Sequence, residues 1–427
     1  MSQPYEFGSL PSGAASNIKP FNLHIPESAL TRMKDLLNLS PVADAIYENS
    51  LPDSGRRLGL RRDWLVEAKR VWETEFIWRN TEDRINSSSN FRIPIDDELG
   101  TFDTHFVGLF SHRPDAIPII LLHGWPGSFL EFLPTLDLLK QKYTPETLPY
   151  HVVVPSLPGY TLSPMPLMNH DFTQMDAARI MDKLMQRLGF GKGYVAQGGD
   201  VGSRVARVLA VDHPSCKGNT QNRLTTDCPN ILNGVYLAVH LNFCFMSRPA
   251  SAKDDSTLSD VEQDGLKRMK AWQAQGTAYA LEHATKPSSI GFALNSNPLA
   301  MLAWIGEKLM DWTDPNHQFS IPTILESISL YWLTASGHSS LWSYRHSFGS
   351  SARPHDDPKY HIKVPMGYSY YRYEIIPIPA DWVATTGNLV FTEKHDKGGH
   401  FAAWEQPEVF TADLEAFVKQ AWGLDTQ

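Results

Sequence analysis

The sequence contains few cysteines. Three occur among 427 residues, at Cys216, Cys228 and Cys244, and their spacing fits neither a zinc site nor a disulfide framework. Such usage is typical of a reducing compartment. We therefore expect a cytoplasmic protein whose core is held together by packing.

Long apolar runs and an excess of basic residues are also missing. Residues 1–20 hold no apolar segment of the kind found in signal peptides, and no later run reaches the roughly 18 residues that a membrane-spanning helix needs. The 38 lysine and arginine residues are outnumbered by 47 aspartate and glutamate residues, which gives a net charge of −9. We therefore expect no membrane anchor and no nucleic-acid partner.

What is present points to a catalytic turn in residues 194–203, Tyr-Val-Ala-Gln-Gly-Gly-Asp-Val-Gly-Ser. This segment has the form of a buried strand that enters a Gly-x-nucleophile-x-Gly elbow, with Asp200 in the place of the usual serine. Its reference pKa of about 3.9 makes Asp200 a carboxylate at neutral pH, so it can attack an alkyl carbon and leave an ester for water to cleave. The alternative is an ordinary glycine-rich loop.

Two further segments match the partners that such an elbow needs. The apolar run 117–122 has parallel-strand character and ends in the loop His-Gly-Trp-Pro-Gly-Ser at 123–128. There the backbone N–H groups of Trp125 and Val201 would form an oxyanion hole. Near the C-terminus, His400 lies on a glycine turn before a final amphipathic helix. The chain order of nucleophile, acid and histidine is that of the α/β-hydrolases.

With these motifs the chain resembles the epoxide hydrolases of the microsomal type, and above all the soluble fungal members that lack a membrane anchor. The matching motifs lie at 21–26, 63–65, 76–79, 123–128, 154–160, 198–200 and 398–405. The resemblance implies an α/β-hydrolase fold, with a mostly parallel sheet, a helical lid insertion and an N-terminal wrapping arm. It also implies conversion of an epoxide and water to a vicinal diol through an ester on Asp200. No metal or cofactor is implied, because carboxylate, imidazole, phenols and water complete the reaction.

Within this resemblance, His400 would be the base that activates the hydrolytic water, and Glu374 the acid that orients the imidazole. Glu374 ends the segment 368–374, which stands where the family has its acidic residue. Three other acidic residues are nearer to His400 along the chain, namely Asp381, Glu393 and Asp396. Sequence distance is a poor guide to the partner of such a histidine, so we predict a Glu374–His400 pair.

Ring opening also needs an acid, for which the family uses two lid tyrosines. A phenol with a reference pKa of about 10 can protonate the departing oxygen. Tyr279 matches the first tyrosine motif, including the Lys-Pro at 286–287, while Tyr344 matches the second more loosely and Tyr331 is its rival. Composition alone favours plain packing for both Tyr279 and Tyr344. Trp125 is also predicted to contact the substrate.

The order of the patterns predicts how the chain is divided. The predicted parts are an N-terminal arm (1–110), a first part of the α/β core (111–245), a helical lid (246–350) and a second part of the core (351–427). The predicted helices are 29–37, 63–76, 260–275 and 298–312. The predicted strands are 101–107, 117–122, 152–155, 194–197 and 382–387.

One segment departs from the family. In the fungal relatives the helix after the elbow leads almost directly into a strand Ala-Val-His-Leu-Asn, whereas here residues 218–237 intervene. Residues 218–230 are polar and aperiodic, which favours a surface loop. A retained intron in the gene product is our hypothesis for the origin of 218–237. A messenger RNA that encodes these residues would contradict it and make the loop genuine.

Other functions stay open from the sequence alone. A haloalkane dehalogenase also uses an aspartate nucleophile, but it would stabilise a halide through N–H donors and needs no paired tyrosines. A biosynthetic cyclase that opens an epoxide, or an inactive binding protein, could use the same scaffold. We expect a small-molecule epoxide as the partner and a homodimer as the candidate assembly, while the natural substrate stays open.

Overall fold

The structure is a computed structural model that describes residues 7–51, 58–167, 169–213, 236–252, 254–346, 355 and 357–422. Within these ranges, nine strands form one mixed sheet. The strands are β1 (Lys19–Phe21), β2 (Asn90–Asp97), β3 (Gly100–Leu109), β4 (Ile117–Leu122), β5 (Tyr150–Pro155), β6 (Gly193–Gly198), β7 (Tyr236–Leu241), β8 (Ile362–Tyr371) and β9 (Gly387–His395).

The strands lie in the order β1-β2-β3-β5-β4-β6-β7-β8-β9. β1, β2 and β3 are antiparallel to their neighbours, and the six strands β4 to β9 run parallel to one another. The parallel arrangement of β4 and β6 follows from their composition, because nearly every residue of both is buried and parallel strands are covered on both faces. This is the mostly parallel sheet that the sequence predicts.

Helices cover both faces of the sheet and fill the segment between β7 and β8. They are α1 (Glu27–Leu39), α2 (Tyr47–Ser50), α3 (Arg62–Thr74), α4 (Trp78–Asn86), α5 (Leu133–Lys142), α6 (Gln174–Arg187), α7 (Asp200–Asp212), α8 (Asp260–Gln275), α9 (Ala278–Thr285), α10 (Pro287–Ser296), α11 (Pro298–Asp311), α12 (Ile321–Leu333), α13 (Ala380–Val383), α14 (Ala402–Glu405) and α15 (Pro407–Ala421). Capping fixes several of these starts. Ser259 and Glu262, for example, form a capping box at the start of α8.

Alternation along the strands divides the core into two layers. Ile120 and Leu122 of β4 pack on one face with α6 and α7, while Ile119 and Leu121 pack on the other with α5 and α15. β4 and β6 are neighbours and end side by side, at Leu122 and Gly198, at the same end of the sheet. α8 to α12 lie between β7 and β8 in the chain, and α1 and α3 contact α11 and α12.

Most predicted elements match the structure closely. The strand 117–122 is β4 and the helix 260–275 is α8, both with the predicted bounds. The predicted strand 382–387 is wrong. Trp382 and Val383 close the short helix α13, residues 384–386 form a 3-10 turn, and the strand begins at Gly387. Both side chains are buried, and a short apolar run with β-branched residues reads the same in a buried helix as in a strand.

Of the segment 218–237, in which the sequence departs from the family, the structure describes only Tyr236 and Leu237. Residues 218–235 lie outside the described residues, so the loop and its origin stay predictions. Tyr236 and Leu237 open β7, where they pair with Gly193 and Tyr194 of β6, and the Leu237 side chain is buried. The strand therefore starts two residues earlier than the Ala238 that the sequence suggested, and Leu237 packs in the core.

Within the described ranges, no helix combines the length and apolar character needed to cross a bilayer. The same ranges contain no group of three or more His, Cys, Asp or Glu residues arranged to hold a metal ion. The predicted division of the chain into four parts stays a prediction.

Candidate active site

Asp200 stands on a sharp turn between β6 and α7. β6 ends at Gly198, and α7 begins at Asp200, whose φ of 41° lies in the left-handed region that side chains rarely adopt. Gly198 and Gly202 are required at this turn because neighbouring backbone atoms leave no room for a side chain. A Cβ on Gly202 would lie 2.0 Å from the carbonyl oxygen of Leu122, and a Cβ on Gly198 would lie 2.3 Å from the carbonyl oxygen of Gly202. This turn is the strained elbow that the sequence predicts.

A chain of buried hydrogen bonds braces the elbow from beneath. The Ser203 hydroxyl donates to the carbonyl oxygen of Asp200 at 2.6 Å, and His355 Nε2 lies 3.1 Å from the Ser203 oxygen. Arg207 Nε donates to His355 Nδ1 at 2.7 Å. Burial, aided by the Arg207 charge, lowers the pKa of His355 well below its ordinary value, so the ring is neutral and Nε2 carries its proton. No sequence motif marks His355, which lies far from the elbow along the chain.

The loop after β4 reaches the nucleophile through its backbone. Trp125 N–H donates to Asp200 Oδ1 at 2.8 Å, so this amide points at one carboxylate oxygen. Val201 lies in the first turn of α7, where backbone N–H groups have no partner within the helix. The Trp125 amide is therefore bound to the carboxylate, and the shared oxyanion role of Trp125 and Val201 stays a prediction.

His400 lies between Glu374 and Asp200. Its Nδ1 is 2.8 Å from Glu374 Oε1, and its Nε2 is 3.7 Å from Asp200 Oδ2. The Glu374 carboxylate also accepts from the backbone N–H groups of Ile375 and Ile376, at 2.6 Å and 3.3 Å. Burial acts to lower the pKa of His400, but the charge and hydrogen bond of Glu374 and the charge of Asp200 outweigh it and raise this pKa to about 9.

The rival acidic residues lie elsewhere. The side chains of Asp381, Glu393 and Asp396 are all exposed, and Asp396 forms an ion pair with Arg372 at 3.9 Å. Only Glu374 among the four candidates is buried against the imidazole. The geometry therefore brings together the predicted trio of carboxylate, imidazole and orienting acid.

The two predicted tyrosines meet above the elbow. Tyr279 lies on α9 and Tyr344 ends the 3-10 turn Ser339–Tyr344, and their rings make an edge-to-face contact with centroids 5.6 Å apart. Burial raises the pKa of both hydroxyls, and the charge of Asp200 raises both further, so both are neutral phenols at pH 7. The Tyr344 hydroxyl is buried, and its interaction with the neighbouring Tyr279 hydroxyl contributes to its raised pKa. The rival Tyr331 instead donates to the Gly127 carbonyl oxygen at 2.7 Å.

A large cavity of about 360 Å³ lies over the carboxylate. Asp200, Tyr279 and Tyr344 all line it. Its apolar walls are Phe243, Phe245, Trp272, Ile375 and Ile376, and Arg204, Gln273 and Thr277 add polar groups. A site of this size suits a small apolar molecule that carries one polar group towards the tyrosines.

Trp125 is placed behind this cavity and is absent from its lining. Its ring stacks on Tyr279 with centroids 5.4 Å apart and meets Tyr344 edge-on at 5.6 Å. The indole therefore contacts both tyrosines, and its predicted contact with the substrate stays a prediction.

Comparison with known proteins agrees with this geometry. The family described as the epoxide hydrolase N terminus matches residues 18–132, and the family described as the alpha/beta hydrolase fold matches residues 117–296. The solved epoxide hydrolase of Aspergillus niger has 44% sequence identity and a TM-score of 0.88, over 98% of this chain and 100% of that chain.

Two sequence relatives extend the likeness. A protein of Dothistroma septosporum assigned as an epoxide hydrolase is 43% identical over 98% of this chain and 93% of its own length. Epoxide hydrolase 1 of Oryctolagus cuniculus is 30% identical over 96% of this chain and 91% of its own length. The chain is thus a hydrolase with the α/β-hydrolase fold. Within that fold it belongs to the epoxide hydrolase family, as the sequence motifs predicted.

Proposed function

We propose that this enzyme converts an apolar epoxide and water to a vicinal diol through an ester on Asp200. One observation carries the proposal: a carboxylate nucleophile and two neutral phenols line the same large cavity, with a buried imidazole behind the carboxylate. A nucleophile on one side of an epoxide and an acid on the other are what ring opening requires.

In the first step, an oxygen of the Asp200 carboxylate forms a bond to a ring carbon, and the carbon–oxygen bond of the ring breaks. The ring oxygen takes a proton from Tyr279 or Tyr344, which leaves a tyrosinate. His400 is protonated in the resting enzyme, because its pKa of about 9 lies above neutral pH. Solvent returns a proton to the tyrosinate and takes one from the imidazolium, so His400 becomes neutral while Asp200 carries the ester.

In the second step, neutral His400 takes a proton from water, and the water oxygen bonds to the ester carbon of Asp200. The amides of Trp125 and Val201 stabilise the charge that forms on the carbonyl oxygen. The ester bond then breaks, the departing alkoxide takes a proton from His400, and the Asp200 acid gives its own proton back to the imidazole. Esterification removes a negative charge that raises the pKa of His400, which helps the imidazole to act as a base at this stage.

The alternatives are less well supported by the cavity. A dehalogenase has no use for paired hydroxyls, and Tyr279 and Tyr344 line the same cavity as the carboxylate here, although Trp272 also brings an N–H donor to it. A cyclase would need a second nucleophile inside the substrate and a site that keeps water from the ester. A second, small cavity beside Asp200 and His400 provides room for water instead.

The decisive experiment is mass spectrometry of the His400→Gln variant after incubation with styrene oxide. The variant should form the ester and fail to release it, so an adduct of substrate mass should appear on the peptide that carries Asp200. His24→Gln, a change at an exposed histidine, serves as the matched control and should turn over without accumulation. No adduct on folded His400→Gln across a panel of aryl and alkyl epoxides would contradict the proposed function.

The predicted cytoplasmic location and homodimer stay predictions. Size-exclusion chromatography with light scattering would test the assembly.

A further inference from the structure

Glu131 is a buried acid that no motif singled out. It lies in the 3-10 turn Phe129–Phe132, directly after the loop that carries Trp125, and its side chain is buried. The carboxyl group packs against this loop, because a Cβ added to Gly127 would lie 2.9 Å from Glu131 Oε1. Glycine at 127 therefore leaves the space that the Glu131 carboxyl occupies.

Glu131 Oε1 makes no hydrogen bond to any described residue. A buried polar atom without a partner is costly, so native proteins nearly always supply one from the chain or from ordered water. Burial, opposed in part by the charge of His400 and aided by that of Asp200, raises the pKa of Glu131 to about 8. The side chain is therefore mostly a neutral acid at pH 7, able both to donate and to accept one hydrogen bond.

A small cavity of about 20 Å³ joins Glu131 to the reacting groups. Asp200, His400 and Asn242 line it together with Glu131, and neither Tyr279 nor Tyr344 does. A cavity needs roughly 10–15 Å³ by this measure to hold one water molecule, so the space suits a single water with several polar partners.

Asp200 lines both cavities and His400 lines only the small one. The alkyl group of an Asp200 ester would fill the large cavity on the side of the tyrosines. Water that attacks the ester carbon must then approach from elsewhere, and it must lie next to the imidazole that takes its proton. The small cavity meets both conditions.

We propose that Glu131 binds the hydrolytic water in the small cavity and holds it between His400 Nε2 and the ester carbon of Asp200. This inference rests on the proposed function. In the step itself the water oxygen bonds to the ester carbon and one water proton passes to His400. The Glu131 carboxyl keeps its own proton and serves as a hydrogen-bond partner, so its effect is confined to ester hydrolysis.

The test separates the two half-reactions in Glu131→Gln and Glu131→Leu. Single turnovers with excess enzyme and styrene oxide are quenched with acid, and the ester and diol are quantified by mass spectrometry. Glu131→Leu removes both hydrogen-bonding atoms and should slow ester hydrolysis by about 100-fold, since misplacing a reactant has effects of this order. Glu131→Gln keeps one donor and one acceptor and should retain more of the rate. Alkylation of Asp200 should stay within about threefold of wild type in both variants.

Glu82→Gln provides the matched control, because Glu82 is a buried glutamate on α4 away from both cavities. It should leave both half-reactions within about threefold of wild type. Equal slowing of alkylation and hydrolysis in the Glu131 variants would assign Glu131 a structural role and overturn the inference. Unchanged ester hydrolysis in Glu131→Leu would overturn it as well. If wild type and His400→Gln form no ester at all, the proposed function and this inference fail together. If the ester forms in His400→Gln but the Glu131 variants hydrolyse it at the wild-type rate, this inference fails and the proposed function stands.

Discussion

The pairing of Glu374 with His400 gives a prediction whose size follows from the structure. The pKa of His400 stands at about 9, against an ordinary 6.5. At 1.36 kcal/mol for each pKa unit, the rise corresponds to about 3 kcal/mol in favour of the imidazolium. Burial acts in the opposite direction, so the negative charges of Glu374 and Asp200 together supply more than this amount.

Glu374→Gln removes the largest of these contributions and keeps the shape of the side chain. We expect the pKa of His400 to fall below 7, because burial is then opposed mainly by Asp200. The imidazolium that forms during ester hydrolysis loses about 2 kcal/mol or more of stabilisation, which slows this step by about 30-fold or more. Attack of Asp200 on the epoxide should change by less than about threefold, since Glu374 does not touch the large cavity.

Two measurements check this prediction. Heteronuclear NMR of the labelled imidazole reports the pKa of His400, and quenched single turnovers report the two rate constants. Glu393→Gln, at an exposed acid nearer to His400 in sequence, is the control and should change neither quantity. A His400 pKa that stays near 9 in Glu374→Gln would refute the electrostatic reasoning. Ester hydrolysis at the wild-type rate would refute the assigned role.

Four further outcomes are expected. The double change of Tyr279 and Tyr344 to Phe should abolish detectable alkylation of styrene oxide, whereas either single change should leave measurable activity, as followed by diol formation. His355→Ala should lower kcat/KM by about tenfold and cost about 1–3 kcal/mol in urea unfolding, because the hydrogen bond that braces the elbow is lost. Gly202→Ala should destabilise by about 1–3 kcal/mol or more, although alanine normally favours a helix, since its Cβ would overlap the Leu122 carbonyl. The folded-state pKa of Glu131 lies above its ordinary value of 4.5, so the contribution of Glu131 to the unfolding free energy should fall as the pH rises from 4.5 to 8, and the unfolding free energy of wild type minus that of Glu131→Gln should decrease over this range.

The sequence predicted best those features that depend on neighbouring residues. The elbow at Asp200 and the apolar run of β4 carry local signals, because a tight turn needs glycine and a doubly covered strand is apolar throughout. The segment 382–387 shows the limit of such signals, since burial without a clear period does not separate helix from strand.

Contacts between distant segments carry no comparable local signal. Glu374 was found through the family motif and not through proximity, because Asp381, Glu393 and Asp396 all stand nearer to His400 in the chain. Glu131 and His355 had no motif at all. Both became visible only once the fold placed them under Asp200, one through an unpartnered carboxyl oxygen and the other through a hydrogen bond to Ser203.

Trp125 ties the floor of the site to its roof. Its main chain binds the carboxylate of Asp200, while its indole carries the ring of Tyr279. Trp125 thereby links the position of Asp200 to that of Tyr279, so a displacement of one side chain is transmitted to the other. For anyone who wishes to change the preferred substrate, the cavity has two kinds of wall. Tyr279 and Tyr344 make the ring contacts to Trp125, whereas Phe245 and Ile375 line the cavity outside this link, so replacing them should alter the shape of the cavity while the link remains.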